Sequence, residues 1–199
     1  MAADAMVDID VHASTLGMGA GFAVPLSENI AARLSVSKYT YSYQSTSDNI
    51  NYDTKLKLEN VAALFDWHLF SGVTHLTAGA IYNNNGFTMS AVPTGGTFTI
   101  NNQTYTTSQI SSLNADISFN KLVPYLGFGW SGRPSKSGFS FKSDFGIMYQ
   151  GSPKASLSAT GTSASAAASN IAASEAQLNK DMSSFNIYPV ISIGMGYAF

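Results

Sequence analysis

Most of the chemistry open to this sequence lies in Arg33, Asp66, His68, Lys142 and Asp144. Asp66 and His68 stand two positions apart, as do Lys142 and Asp144, so each pair shares a face if the backbone is extended. Arg33 and Lys142 balance Asp66 and Asp144 in sign, and charges held away from water need such partners. The set has three possible uses: an ion-pair network that fills an interior, a selectivity or gating site in a narrow pore, or an active site. The first is the expectation. A Ser/His/acid hydrolase can be drawn from His68, Asp66 and a nearby serine, but no serine stands in a nucleophile motif. His12 and His75 fall near the ends of alternating stretches and are expected at an interface or a turn. No metal-ligand spacing is present. Cysteine is absent, which removes disulfides and thiolate sites, and no cofactor is expected. Gly17-Met18-Gly19-Ala20-Gly21 is glycine-rich, but no helix follows, so it fails the context test for a phosphate loop. A net charge of −2 offers no basic surface for nucleic acid.

The elements that must position these residues are strands. In Asn186–Phe199, odd positions hold Ile187, Pro189, Ile191, Ile193, Met195, Tyr197 and Phe199, whereas even positions hold Tyr188, Val190, Ser192, Gly194, Gly196 and Ala198. One face is large and apolar and the other small or polar, the period of a β-strand. The split recurs in Leu16–Val24, Ile30–Val36, Asp53–Leu69, Leu76–Tyr82, Leu122–Trp130 and Phe139–Tyr149. Val7, Ile9 and Val11 add a short first strand near Met6–Ala13, joined tightly to Thr15–Val24. A change of phase near Glu59–Asn60 predicts a β-bulge. Ser163–Ser184 is rich in Ala, Ser, Glu, Gln and Lys and predicts a short helix.

Charged residues make up only 11% of the 199 positions, against 12 Phe and 10 Tyr, low against the usual quarter. No apolar run approaches the roughly 18 residues of a transmembrane helix. Connections alternate in length. Those near 25–29, 70–74 and 131–138 are short, and those near 44–52, 91–115 and 161–185 are long. Within the second long connection, Thr97–Thr107 predicts a hairpin around Asn101-Asn102.

The strand ending on Phe199, Leu16–Val24 and Lys121–Trp130 together resemble Gram-negative outer-membrane β-barrel proteins of the OmpA or OmpW type. The resemblance implies an all-β fold: a closed antiparallel up-and-down transmembrane barrel of about eight strands over residues 7–199, preceded by a tail at 1–6. Short connections would then be periplasmic and long ones extracellular, with the helix in a long extracellular loop. Tyr39, Tyr41, Tyr82, Trp67, Trp130, Tyr197 and Phe199 would form the aromatic girdles. Arg33, Asp66, His68, Lys142 and Asp144 would form a charged cluster inside the lumen, among many glycines that leave room for it. Outer-membrane lipid or lipopolysaccharide, and the barrel-assembly machinery acting through Phe199, are the implied partners. Met1-Ala2-Ala3-Asp4 lacks a basic start and an apolar stretch, so a mature form with an added start Met is expected. No domain follows Phe199, so a peptidoglycan anchor is not expected. The class contains plugged barrels, narrow channels for small or hydrophobic solutes, adhesins and lipid-modifying enzymes. A non-enzymatic barrel plugged by its charges is the favoured reading.

Overall fold

The computed structural model describes residues 6–69, 72–131 and 138–199. The expected tail and the centres of two expected short turns fall largely outside the described residues. The chain forms β1 (Asp8–Ser14), β2 (Gly17–Pro25), β3 (Ile30–Ser47), β4 (Ile50–His68), β5 (Thr74–Asn83), β6 (Gly86–Pro93), β7 (Thr97–Ile100), β8 (Gln103–Thr106), β9 (Ser112–Ser118), β10 (Leu122–Ser131), β11 (Gly138–Tyr149), β12 (Lys154–Thr160), α1 (Ala168–Met182) and β13 (Ile187–Ala198).

Eight of these strands close a ring: β1, β2, β3, β4, β5, β10, β11 and β13, each antiparallel to the next. Closure is made by the chain's two ends, with Asp8 opposite Ala198 and Ser14 opposite Ser192. A ring leaves no strand edge facing hydrocarbon, the condition for a sheet to cross a bilayer. The short first strand exists as expected, joined to β2 through Thr15 and Leu16 alone. Asp8 and Ala198 lie at one end of the ring, here the near end.

At the far end β3 and β4 run on past the ring. There β4 leaves β5 and pairs with β6, Lys57 opposite Gly86, and β9 and β12 add beyond it. A second, open sheet of order β3-β4-β6-β9-β12 therefore grows from the rim of the first. The β7–β8 hairpin and α1 lie against it. Ile100, Tyr105, Ile110, Ala167 and Ile171 form a second core with Leu113, Leu157, Ala159 and Ala164.

This second sheet corrects several expectations. The connection near 44–52 is no loop: both strands continue to a two-residue turn at Asp48-Asn49, whose φ values of 50° and 60° suit a tight hairpin. The connection near 91–115 holds the end of β6, the expected hairpin turning at Asn101-Asn102, and β9. Helix α1 forms within the expected segment. The β-bulge near Glu59–Asn60 is absent, because the register of β4 against β3 is unbroken from Trp67 opposite Ile30 to Ile50 opposite Ser47.

The phase change in β4 has a different origin. Within the ring, Val61, Phe65 and Trp67 point outward, while Asn60, Ala62, Leu64 and Asp66 point in. Beyond the ring, the outward parity carries Glu59, Lys57, Lys55 and Asp53, and the inward parity Leu58 and Leu56. Strand geometry stays constant while the surroundings change. Outward side chains meet lipid along the ring and water above it, so the apolar face swaps sides.

Candidate functional site

The ring's interior holds the expected charges in two groups near its near end. Arg33 on β3 crosses to β11 and β4. Its two terminal nitrogens donate to the Asp144 carboxylate at 2.8 Å each, and it meets Asp66 at 3.0 Å. The Thr77 hydroxyl donates to Asp66 Oδ1 at 2.7 Å. Such a bidentate, charge-assisted pairing is the strong form of hydrogen bond.

Lys142 does not join this group. It reaches Asp8 at 2.7 Å and Asp10 at 3.4 Å, carboxylates on β1 outside the expected cluster. Its strand neighbour β13 brings β1 within reach through ring closure. Asp10 also contacts His12 Nδ1 at 2.8 Å, and His12 Nε2 lies 3.0 Å from Ser37 Oγ. His12 therefore faces the interior rather than an interface or a turn.

His75 departs from expectation in the same way. It is 2% exposed, with Nε2 3.2 Å from Asp144 Oδ1 and 4.0 Å from Asp66. His68 lies beside it, ring centroids 5.3 Å apart, and Ser131 Oγ stands 3.3 Å from a nitrogen of each. All three histidines of the chain thus lie inside the ring. Parity is the signal that places His75, since it shares the inward side of β5 with Thr77 and Gly79.

Glycines make the space. A Cβ on Gly129 would fall 2.8 Å from His75 Nε2 and 3.0 Å from Asp144 Oδ1, and one on Gly19 would fall 2.6 Å from His12 Nε2. His75, Asp144 and His12 fit because a neighbouring strand presents a glycine beside each.

On the far side of the charges lies an apolar layer outside the expected site. Leu16, Ala62, Leu64, Ile81, Val123, Tyr125, Met148 and Val190 pack together across the ring, with Tyr188 against them. Leu16 belongs to the β1–β2 turn, which folds into the ring. The Tyr188 hydroxyl donates to Thr15 O at 2.6 Å, and Thr15 Oγ1 donates to Pro189 O at 3.0 Å, so the turn is tied down. Above it, Asn60 donates to Leu16 O and to Asn85 Oδ1 at 3.2 and 2.8 Å.

Asp66, His75 and Asp144 offer ligand atoms within 4.8 Å of one another, enough for a metal ion on distance alone. Arg33 already occupies both carboxylates, so a cation would have to displace a guanidinium. Ser131, His75 and Asp144 also line up as a hydroxyl, an imidazole and a carboxylate. They lie inside the ring, whereas an acyl bond in membrane lipid lies outside its wall.

The aromatic residues divide. Trp67, Trp130, Tyr197 and Phe199 are exposed on the outward face at the near end, where Phe139 also packs on Tyr197. Tyr82 is outward at the opposite border of the apolar band. Tyr39 and Tyr41 are not on the outward face. They are opposite Leu58 and Leu56, on the inward parity of the second sheet, because they continue the side of β3 that carries Arg33 and Ser37.

A closed ring of eight antiparallel strands, apolar outside and charged within, defines a small transmembrane β-barrel. Among solved structures, CarO of Acinetobacter baumannii aligns at TM-score 0.60 and 18% identity, over 96% of this chain and 97% of its own. CarO2 of the same organism aligns at TM-score 0.62 and 17% identity, over 98% and 99%. Ail, the attachment invasion locus protein of Yersinia pestis, aligns at TM-score 0.41 and 10% identity over 98% and 97%. No protein-family model matches the sequence, and no curated protein matches it. The chain has the fold of the small Gram-negative outer-membrane β-barrel proteins.

Proposed function

We propose that this protein is an integral barrel of the bacterial outer membrane that performs no catalysis and whose lumen is closed by its own side chains. The near end faces the periplasm, and the second sheet with α1 stands outside the cell as a cap over the mouth. The observation that carries the reading is the stacking of two unlike layers in one narrow ring. Arg33 is tied to Asp66 and Asp144 across the lumen, and the Leu16–Met148 apolar layer lies above it. The cavity left among Lys142, Asp10, Tyr125 and Val190 is about 50 Å³. That is room for only a few water molecules. An ion would have to break paired charges and then cross a dry constriction, the kind that gates pores by dewetting.

A second reading, a narrow channel for small or hydrophobic solutes, draws support from the polar lining of that cavity by Ser192, His12 and Lys142. Single-channel recording in planar bilayers separates the two, after a heat-modifiable gel shift confirms folding. The plugged reading expects a folded, silent protein, with openings appearing on Leu16→Gly because the turn no longer fills the apolar layer. Stable openings of the native protein, enlarged by shortening Arg33 or Lys142, would establish the channel instead.

A further inference from the structure

We infer that the upper edge of β3 is a strand-addition site, taking an uncharged extended segment of another polypeptide antiparallel to itself. β2 pairs with β3 only as far as Met18 opposite Lys38, whereas β4 accompanies β3 to its end, Ser47 opposite Ile50. From Tyr39 to Ser47, β3 is therefore paired on one side alone. The turn at Asp48-Asn49 fixes which groups are left over. In a two-residue hairpin the closing pair, here Ser47 and Ile50, exchanges both of its hydrogen bonds, and such pairs alternate along an antiparallel ladder. Tyr39, Tyr41, Tyr43 and Ser45 thus turn their backbone groups to β4. Thr40, Ser42, Gln44 and Thr46 turn theirs to the open edge, where no backbone partner meets them among the described residues. The side chains of Gln44 and Thr46 reach back to Asp53 and Asn51 of β4 and leave that edge clear.

Open edges are normally blunted by a charge, a proline, a bulge or a cover. The segment Tyr39–Ser47 contains no charged residue, no proline and no glycine, and its pairing with β4 has no bulge. The opposite edge of the same sheet, at β12, is covered by α1. The free N–H and C=O groups of β3 repeat at the two-residue period of a strand, which another extended backbone matches. Tyr39, Tyr41 and Tyr43 stand beside them on one face, 46%, 52% and 54% exposed, placed to flank the side chains of an added strand. A charged strand would find no opposite charge in the segment, so the fitting partner is uncharged, with aromatic or β-branched residues. A second copy in the same membrane does not fit. Barrel strands incline about 35–45° to the membrane normal, so rotation about that normal would cross two β3 strands at about 70–90° instead of running them antiparallel. This exclusion of a second copy rests on the outer-membrane reading above.

The test places the full chain in lipid nanodiscs, one barrel to each, and titrates in a fluorescent synthetic peptide of the sequence Tyr39–Ser47. The peptide is N-methylated at Tyr39, Tyr41, Tyr43 and Ser45, so that only one of its edges can pair, and anisotropy reads its binding. Saturable binding of one peptide per barrel is the expected result, weakened at least tenfold in S42P, kept in S42A and absent for a peptide methylated at every position. The proline removes an N–H at the open edge and leaves the β4 ladder whole, whereas the alanine removes only a hydroxyl. No saturable binding, or equal binding in S42P with its heat-modifiable shift intact, would overturn the site. If S42P does not fold, the two peptides on the native protein decide alone, and equal binding of both overturns it. Pairing of loaded nanodiscs without peptide, lost in S42P, would assign the edge to a second copy in a facing membrane and overturn the separate partner. Failure of the native protein to enter nanodiscs sinks the outer-membrane reading, whereas entry without peptide binding sinks only the edge site.

Discussion

Removing the Arg33 guanidinium leaves Asp66 and Asp144 facing one another inside the ring with only His75 and Thr77 beside them, since Lys142 is committed to Asp8 and Asp10. Breaking a buried pair from one side costs about 3–5 kcal/mol, because the surviving charge stays desolvated. Arg33→Ala is therefore expected to lower the unfolding free energy of the bilayer-folded protein by that amount, read as a lower urea midpoint at unchanged slope. Adding Asp66→Asn and Asp144→Asn in the same chain should recover much of the loss. Equal midpoints in the single and triple variants would show that the carboxylates do not need Arg33. Alternation alone was enough to bring Arg33, Asp66, His68 and Asp144 to one interior, because inward parity fixes direction without any knowledge of partners. It could not pair Lys142 with Asp8 and Asp10. That contact spans 134 residues and exists only because β13 closes onto β1. His75 was misplaced for a similar reason. A histidine beginning a strand reads as rim, yet in a ring this narrow the first inward residue already lies among the charges.

At the scale of elements, the second sheet has an edge that the ring lacks. β12 is its last strand, and α1 covers it with side chains rather than with backbone. Glu175 accepts from Leu157 N–H at 2.7 Å, and Asn179 accepts from Ala155 N–H at 2.8 Å while donating to Ala155 O at 3.0 Å. Unpaired edges invite pairing with other chains. Glu175→Ala with Asn179→Ala is expected to free this edge, so that limited proteolysis cuts 154–185 faster by several-fold while the barrel keeps its heat-modifiable gel shift. Unchanged proteolysis would mean that the apolar contacts of Ile171 hold the helix alone. The helix was legible from composition, but β6 and β9 were not, and the stretch to Thr160 reads as a continuation of β11 rather than as β12 of a second sheet. Their one apolar face is built largely of small residues, such as Ala91, Ala115 and Ala155, set against Ser, Thr and Asn. Such a face is too weak a signal to distinguish from a polar loop. The tip at Asp48-Asn49 failed differently, since the residues that suit a tight turn also suit a loop.

For the whole molecule, the same strands serve two solvents. Along the ring the apolar side faces out and the charges face in; above it Leu56 and Leu58 face in and Lys55 and Lys57 face out. The height at which β4 inverts marks the far border of the hydrocarbon, and the near border is marked by aromatic residues. The chain's two tryptophans, Trp67 and Trp130, both lie outward at that near border, 55% and 43% exposed to the surroundings of the barrel. Trp130 packs edge-on against Phe128 and Phe145, which fixes it on the wall. Amphipathic rings of this kind settle at head-group depth. The intrinsic fluorescence of the folded protein therefore reports one depth only. In vesicles of lipids brominated at graded positions along the acyl chain, shallow bromines are expected to quench it most and the deepest least. Quenching strongest at the bilayer centre would mean that the ring sits about half a membrane lower than the inversion in β4 requires. Indifference to bromine would mean that this face does not meet lipid at all.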